Sequence, residues 1–183
     1  MQNDFSRTVI NSWLYETRYL VYLVLIAWIV SIVNFGLLGG SLNHLGIRPR
    51  SLGGLQGILF APFLHGDWAH IEGNTIGFAT FGGLILLQDP SNFGAVTTIV
   101  ALTSGIGTWL VGEGNRSGKV VVHIGASGVV FGYLGFLFSL AYFDRSLSSA
   151  SILVLLSFFY SKYLWGILPL QEGISWEEHL FGF

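Results

Sequence analysis

The sequence has no cysteine and few charged residues. Its 183 residues include 8 lysines and arginines and 10 aspartates and glutamates, so 10% are charged, whereas an average soluble domain carries roughly 25%. The absence of cysteine excludes disulfide bonds and thiolate chemistry. So few charges cannot build an ordinary water-exposed surface. At a net charge of −2, the lack of a basic run argues against nucleic acid as a partner.

Apolar residues and glycine take the place of the missing charges. Apolar residues make up 52% of the chain, and glycine accounts for 25 residues, about double its usual share of roughly 7%. In lipid the hydrophobic effect does not bring helices together, so their association depends on close packing. Glycines allow that close approach. The composition therefore predicts an all-α membrane protein, a single compact helical bundle that contacts the lipid bilayer.

The bundle is expected to contain six membrane spans. A transmembrane helix needs roughly 20 residues with few charges, and such windows occur at about 19–38, 71–87, 95–111, 123–143 and 147–168. A sixth apolar stretch runs from near Ile174 to Phe183. We expect residues 1–18 to form a polar N-terminal segment and residues 19–183 the transmembrane domain. The long linker at 39–69 is expected to lie in the membrane interface.

The sixth stretch is shorter than a complete span. About ten residues, at roughly 1.5 Å each, cover only about half of a roughly 30 Å hydrocarbon core. The sequence therefore predicts that the last helix is truncated within its span and that this chain is a fragment of a longer protein. We expect the 183-residue chain to be inactive or severely impaired. The distribution of lysine and arginine does not decide the orientation of the bundle.

Three polar clusters lie near the starts of predicted spans, where polar groups are costly. His70 and Asn74 are about one helical turn apart, so they share a face of the second span. Ser127 lies in a Gly-Ala-Ser-Gly sequence near the start of the fourth span, and His179 lies at the start of the sixth, followed by Gly182. These clusters are the candidates for a functional site.

The clusters contain the groups that nucleophilic catalysis needs. A serine hydroxyl is a poor nucleophile until a base takes its proton, and an imidazole suits that role near neutral pH. Ser127 and His179 would supply this pair. The oxyanion formed by the attack needs preorganised donors, which Asn74, His70 and the backbone amide of Ser127 could provide. Small residues would let the helices at the site pack closely, namely Gly125, Gly128, Gly132, Gly135 and Gly182.

Each cluster also has a purely structural interpretation. A serine in a membrane helix commonly bonds a backbone carbonyl, and His70 with Asn74 could form a hydrogen-bonded pair between helices. His65, Asp67 and Glu72, which surround that histidine in sequence, could suggest a metal site, but their spacing is not that of a helical zinc motif. An interfacial position explains them better. The sequence therefore predicts neither a metal ion nor another cofactor.

The order of the motifs resembles that of the rhomboid family of intramembrane serine proteases. The shared features are a histidine and an asparagine four residues apart on the second span, Gly-x-Ser-Gly on the fourth and His-x-x-Gly on the sixth. The resemblance covers the chain from about Tyr19 onwards and implies a rhomboid-like six-helix transmembrane bundle. It implies that Ser127 is the nucleophile and that His179 is the general base and later the general acid. His70 and Asn74 match the family's oxyanion-stabilising pair, and the dyad has no acidic third member.

Other positions match the family less uniformly. His65 matches a further histidine often seen upstream, and Gly135 matches a recurrent glycine. Glu178 stands where the family often has alanine. Phe131 stands where many members have a tyrosine that packs on the histidine ring. Neither departure forbids catalysis.

The resemblance implies hydrolysis of peptide bonds in or near the transmembrane segments of other membrane proteins. The partners would be those substrates and the lipid bilayer, and the expected location is the cell (plasma) membrane. A non-catalytic rhomboid-like protein that binds client transmembrane helices is the leading alternative, and the presence of both Ser127 and His179 weighs against it. A small-solute transporter would predict related halves with broken helices, and the sequence has no internal repeat.

Overall fold

The computed structural model describes residues 2–170 and 175–183, and this part of the chain is mostly helical. The α-helices found there are α1 (Gln2–Gly36), α2 (Gly57–Phe60), α3 (Trp68–Gln88), α4 (Phe93–Val111), α5 (Ser127–Asp144), α6 (Leu147–Leu164) and α7 (Trp176–Gly182). Short 3-10 helices occur at Ser41–Leu45, Leu52–Gly54, Ala61–Phe63, Pro90–Asn92 and Trp165–Ile167. Strands β1 (Asn115–Arg116) and β2 (Lys119–Val120) form an antiparallel hairpin. The predicted all-α class is confirmed.

The surface of the bundle is suited to lipid. Among the described residues, three helical stretches are long and apolar enough to cross a membrane, namely Ile10–Gly36, Pro90–Val111 and Ser127–Asp144. α3 has 21 residues but carries His70, Glu72 and Asn74, which reduce its apolar character. Large apolar side chains such as Phe143 and Phe158 are exposed on the outside of the helices. Lipid tails are as apolar as leucine side chains, so a bilayer solvates such a surface where water does not.

The helices α1 and α5 show the largest differences between their observed starts and the predicted windows. α1 begins at Gln2, so the residues before position 19 continue the same helix, because no proline or glycine interrupts it. α5 begins at Ser127 rather than near His123. The N–H and C=O groups of His123 exchange 2.9 Å hydrogen bonds with Ile47 of the linker, which hold that segment extended. The expected start of the sixth span at Ile174 lies outside the described residues. The division into an N-terminal segment and a transmembrane domain stays a prediction.

α5 is the central helix of the bundle. It packs against α3, α4, α6 and α7. Tyr133 is fully buried, and its hydroxyl lies 2.6 Å from the hydroxyl of Thr97 on α4. The rings of Phe78 and Phe93 lie 5.2 Å and 5.7 Å from the ring of Tyr133. These contacts fix α5, and the serine at its start, relative to α3 and α4.

Small residues bring α7 close to α5. Gly128, Gly132 and Gly135 face α7, and Gly182 faces α5. A Cβ atom on Gly182 would collide with the backbone carbonyl of Gly128, and one on Gly132 would lie 2.9 Å from the carbonyl oxygen of Gly182. The two backbones approach this closely only because these residues have no side chain. The short helix α7 is therefore seated directly beside the start of α5.

Candidate active site

Ser127 and His179 are in hydrogen-bond contact. The Oγ atom of Ser127 lies 2.9 Å from the Nε2 atom of His179, across 52 positions in the sequence. Ser127 is the first residue of α5 and is half-buried, whereas His179 lies on α7 and is only 8% exposed. The structure thus brings together the two side chains that the sequence suggested as nucleophile and base. Their catalytic roles stay predictions.

A backbone carbonyl orients the imidazole of His179. Its Nδ1 atom lies 2.9 Å from the carbonyl oxygen of Gly166, in the 3-10 helix that follows α6. A carbonyl oxygen only accepts hydrogen bonds, so Nδ1 carries the proton, and its N–H group donates a hydrogen bond to this oxygen. In the neutral ring, Nε2 is then the unprotonated nitrogen that faces Ser127. The carbonyl of Gly166 therefore provides the orientation that an acidic third residue supplies in a catalytic triad.

Phe131 supports the other side of the same imidazole. Its ring is stacked on that of His179, with centroids 4.0 Å apart and planes inclined by 13°. Phe131 lies on α5 one helical turn after Ser127, so one helix supplies both the serine and the ring that supports the histidine. The aromatic residue expected at this position from the rhomboid resemblance contacts the histidine here without a hydroxyl group.

Gly125 shapes the chain just before Ser127. Its φ angle of 124° lies in a region that side chains with a Cβ rarely adopt. Its N–H group donates a 2.9 Å hydrogen bond to the carbonyl of Ala61 in the linker. A Cβ at Gly125 would lie 2.6 Å from Nε2 of His70 and 3.2 Å from Nδ2 of Asn74. The missing side chain therefore lets both polar groups of α3 reach the segment that leads to Ser127.

His70 and Asn74 present hydrogen-bond donors next to Gly125. The Nδ2 atom of Asn74 is buried and has no partner among the described residues. The Nδ1 atom of His70 accepts a 3.3 Å hydrogen bond from the N–H group of Gly66. The proton of a neutral His70 ring is then on Nε2, the atom that faces Gly125. Asp67 caps α3 by accepting a 2.8 Å hydrogen bond from the backbone N–H of His70.

His65 lies behind His70. The two rings are edge to face, with centroids 5.1 Å apart, and His65 is almost fully buried. Burial, together with the nearby His70, lowers the pKa of His65 to about 4. His65 is therefore neutral near pH 7 and places no charge beside the site. Among the described residues, no group of three or more histidine, aspartate or glutamate side chains is arranged to hold a metal ion.

A mostly apolar cavity opens beside the site. Its volume is about 210 Å³, and it reaches Asn74 and Ala126, the neighbour of Ser127. Most of its wall comes from α1, α3, α4 and the linker, with Phe63, Phe78 and Leu102 among the apolar side chains. This space beside Ser127 can receive an apolar side chain.

Two contributions to the site could not be read from motifs. The carbonyl of Gly166 orients His179, but every residue has a backbone carbonyl, so no sequence signal distinguishes this one. Ser104 of α4 donates a 2.8 Å hydrogen bond from Oγ to the backbone carbonyl of Glu178, next to His179. Serines are common in apolar helices, so Ser104 does not stand out in the sequence. The carbonyl that it contacts belongs to a residue 74 positions away. Only the packing of α4 against α7 reveals this contact.

Comparison with known proteins identifies the family of the chain. The Rhomboid domain family matches residues 52–183, a range that includes all four predicted polar site residues. The chain is 36% identical over 173 residues to uncharacterized proteins of Mycobacterium bovis and Mycobacterium tuberculosis, covering 93% of this chain and 72% of each relative. It is 40% identical over 146 residues to an uncharacterized protein of Mycobacterium leprae, covering 78% of this chain and 57% of that protein. No solved structure matches the chain. The chain is therefore an integral membrane protein that belongs to the rhomboid family.

Proposed function

We propose that the protein is an intramembrane serine endopeptidase that cleaves peptide bonds in or near transmembrane segments of other membrane proteins. The observation that carries this proposal is the 2.9 Å contact between Oγ of Ser127 and Nε2 of His179. Family membership supports it, because rhomboid proteins act on membrane-protein substrates within the bilayer. No cofactor is part of the proposal.

The first chemical step would form an acyl-enzyme. Oγ of Ser127 attacks the carbonyl carbon of the scissile bond while Nε2 of His179 takes the hydroxyl proton. The carbonyl oxygen becomes an oxyanion, and the proposed donors to it are the Asn74 amide, the His70 ring and the backbone N–H of Ser127. When the tetrahedral intermediate collapses, the C–N bond breaks and His179 gives its proton to the leaving amine. An ester on Ser127 remains.

The second step would hydrolyse that ester. A water molecule attacks the ester carbonyl, and His179 takes a proton from the water. The C–O bond to Ser127 then breaks, the serine oxygen recovers a proton from His179, and a carboxylic acid leaves. Throughout both steps the Gly166 carbonyl would hold the Nδ1 proton, so the ring returns to the same tautomer.

The proposed substrates are transmembrane segments that unwind easily. A helix hides its peptide carbonyls in hydrogen bonds, which must open before Ser127 can attack. Glycine and other poor helix formers reduce the cost of that opening. Segments with small or helix-breaking residues near the membrane surface should therefore be preferred. We place the protein in the cell (plasma) membrane, with membrane-protein substrates as its partners.

Labelling with a serine-reactive fluorophosphonate tests the proposal. The parent protein should be labelled, and Ser127→Ala should abolish the labelling. Ser139→Ala is the matched control, because Ser139 lies on the same helix but is exposed on its outer face. The measurement is made on the 183-residue chain and on a chain whose last helix is lengthened by about a dozen apolar residues.

The outcomes separate the proposed functions. A protease is labelled at Ser127 and cuts a reconstituted membrane-protein substrate. A non-catalytic protein that binds client helices, or a transporter, is not labelled. Absence of labelling in both chain lengths would overturn the proposal, as would equal labelling of the Ser127→Ala variant.

A further inference from the structure

Glu178 is a buried acid directly beside the proposed dyad. It precedes His179 on α7, and only 3% of its surface is exposed. α7 packs against both α4 and α5 at this point. A buried carboxyl group is costly unless hydrogen bonds compensate for the lost water, so its partners indicate its role.

The carboxyl group of Glu178 reaches the start of α5. It lies against the backbone N–H of Gly128, and its Oε2 atom is buried without a hydrogen-bond partner among the described residues. Gly128 leaves room for this approach, since a Cβ there would lie 2.8 Å from Cγ of Glu178. The backbone of Glu178 is held separately, because its carbonyl accepts a 2.8 Å hydrogen bond from Oγ of Ser104. Both the main chain and the side chain of Glu178 are therefore fixed between helices.

This contact runs parallel to the contact between serine and histidine. Gly128 follows Ser127 on α5, and Glu178 precedes His179 on α7. The first N–H groups of a helix have no partner within that helix, and an acidic group is favoured there by the helix dipole. Two adjacent contacts thus join the same two helices, one between the two members of the proposed dyad and one between their neighbours in the chain.

We propose that Glu178 is a positioning residue that fixes Ser127 relative to His179. It does not contact the reacting atoms. It acts by tying the first turn of α5 to α7, so that the hydroxyl stays within reach of the imidazole. This inference rests on the proposed function, because positioning matters only if Ser127 is the nucleophile.

Glu177 provides a matched comparison on the same helix. It is also an acid and also buried, and its Oε1 atom accepts a 3.1 Å hydrogen bond from the backbone N–H of Glu113, in the loop after α4. It therefore holds a loop rather than the helix of the nucleophile. Replacing either acid removes one buried carboxyl group from α7, but only Glu178 contacts α5 next to Ser127.

The test compares the parent with Glu178→Ala, Glu178→Gln and Glu177→Gln. Ser127→Ala is the negative control, which should not be labelled. The rate of fluorophosphonate labelling and the values of kcat and KM for a transmembrane substrate are measured in the same detergent. Glu178→Ala should lower the labelling rate and kcat about tenfold, the effect of about one hydrogen bond, and leave KM unchanged. Glu178→Gln should restore most of the rate, because its amide oxygen can accept from Gly128. Glu177→Gln should match the parent.

The proposal would be overturned by equal labelling rates of Glu178→Ala and the parent, or by a Glu178→Gln variant as slow as Glu178→Ala. If Glu178→Ala does not fold, Glu178→Leu takes its place, because leucine fills similar space without an oxygen acceptor and should be slowed as much. A labelled parent with unaffected Glu178 variants would contradict this inference alone. An unlabelled parent would overturn the proposed function and this inference with it.

Discussion

The ring of Phe131 lies flat on the imidazole of His179, with ring centroids 4.0 Å apart. This contact limits rotation of the imidazole about its side-chain bonds and keeps Nε2 directed at Ser127. Stacked aromatic pairs contribute about 0.5–1.5 kcal/mol, and roughly 1.4 kcal/mol corresponds to a tenfold change in rate. The support given by Phe131 can therefore be measured as a rate.

Phe131→Leu should lower kcat by up to about tenfold, whereas Phe131→Tyr should retain activity because its ring has the same shape. Cleavage of a reconstituted transmembrane substrate gives both values. Phe138→Leu is the matched control, because Phe138 lies on the same helix and faces Phe183 at 6.1 Å rather than His179. Parent-like kcat in Phe131→Leu would show that the stacking does not hold the base in place.

In the chain whose last helix is lengthened, Ser127→Ala and His179→Ala should each abolish cleavage while leaving the protein folded. The two side chains act as one unit, so the double variant should be hardly worse than either single variant. Cleavage is measured with a reconstituted substrate, and folding is checked by thermal unfolding in detergent. Substantial cleavage by the Ser127→Ala variant would exclude the serine mechanism.

Asn74→Ala and His70→Ala should each lower turnover by on the order of a hundredfold, the usual cost of losing one oxyanion donor. Labelling by a fluorophosphonate should remain detectable, because Ser127 and His179 are unchanged. Ile76→Ala is the control on the same helix, since Ile76 is exposed on the outer face of α3. Wild-type turnover in both the Asn74 and His70 variants would place the oxyanion site elsewhere.

The stability of the protein should fall as the pH is lowered from about 6.5 to about 4, in part because of His65. Burial and the adjacent His70 lower its pKa to about 4 in the folded state, whereas an unperturbed histidine titrates near 6.5. Between these values the unfolded state binds more protons, so the free energy of unfolding decreases towards acid pH by about 3 kcal/mol in total.

Thermal unfolding at several pH values between 7 and 4 measures this effect, and His65→Gln should flatten the pH dependence. His44→Gln is the control, because His44 is exposed in the linker. The same acid dependence in the parent and in His65→Gln would contradict the assignment to His65.

Gly182→Ala should both destabilise the protein and slow the labelling of Ser127. The added Cβ would meet the backbone carbonyl of Gly128, so α7 must move away from α5 and carry His179 with it. Overpacking of this kind typically costs about 1–3 kcal/mol. Gly83→Ala on α3 is the control, since nothing lies within 4 Å of a Cβ there, and alanine is favoured over glycine in a helix. Equal labelling rates in Gly182→Ala and the parent would refute the close-packing requirement.

Much of the fold could be predicted from composition and periodicity. The scarcity of charge and the apolar windows led to an all-α membrane protein, which the structure confirms, and the order of the polar motifs led to the rhomboid family, which the family match confirms. The start of α5 could not be predicted, because the apolar window continues before Ser127. The backbone pairing of His123 with Ile47 holds the segment before Ser127 extended, and that pairing joins residues far apart in the sequence.

The sequence by itself determined which chemical groups are available. A serine, two histidines and an asparagine at the starts of predicted membrane spans require an explanation, because polar groups are costly in lipid. The site roles assigned to Ser127, His179, His70 and Asn74 stay predictions to be tested by the variants above.

Only the tertiary structure decided how these groups meet and what orients them. The contact between Ser127 and His179 spans 52 positions, and it depends on glycines that let α7 lie against α5. The carbonyl of Gly166 determines which imidazole nitrogen faces the serine, and the carboxyl group of Glu178 reaches the amide of Gly128. Neither contact leaves a signal in the sequence, because every residue has a backbone carbonyl and every residue except proline a backbone N–H. Only chain packing brings one such group into range.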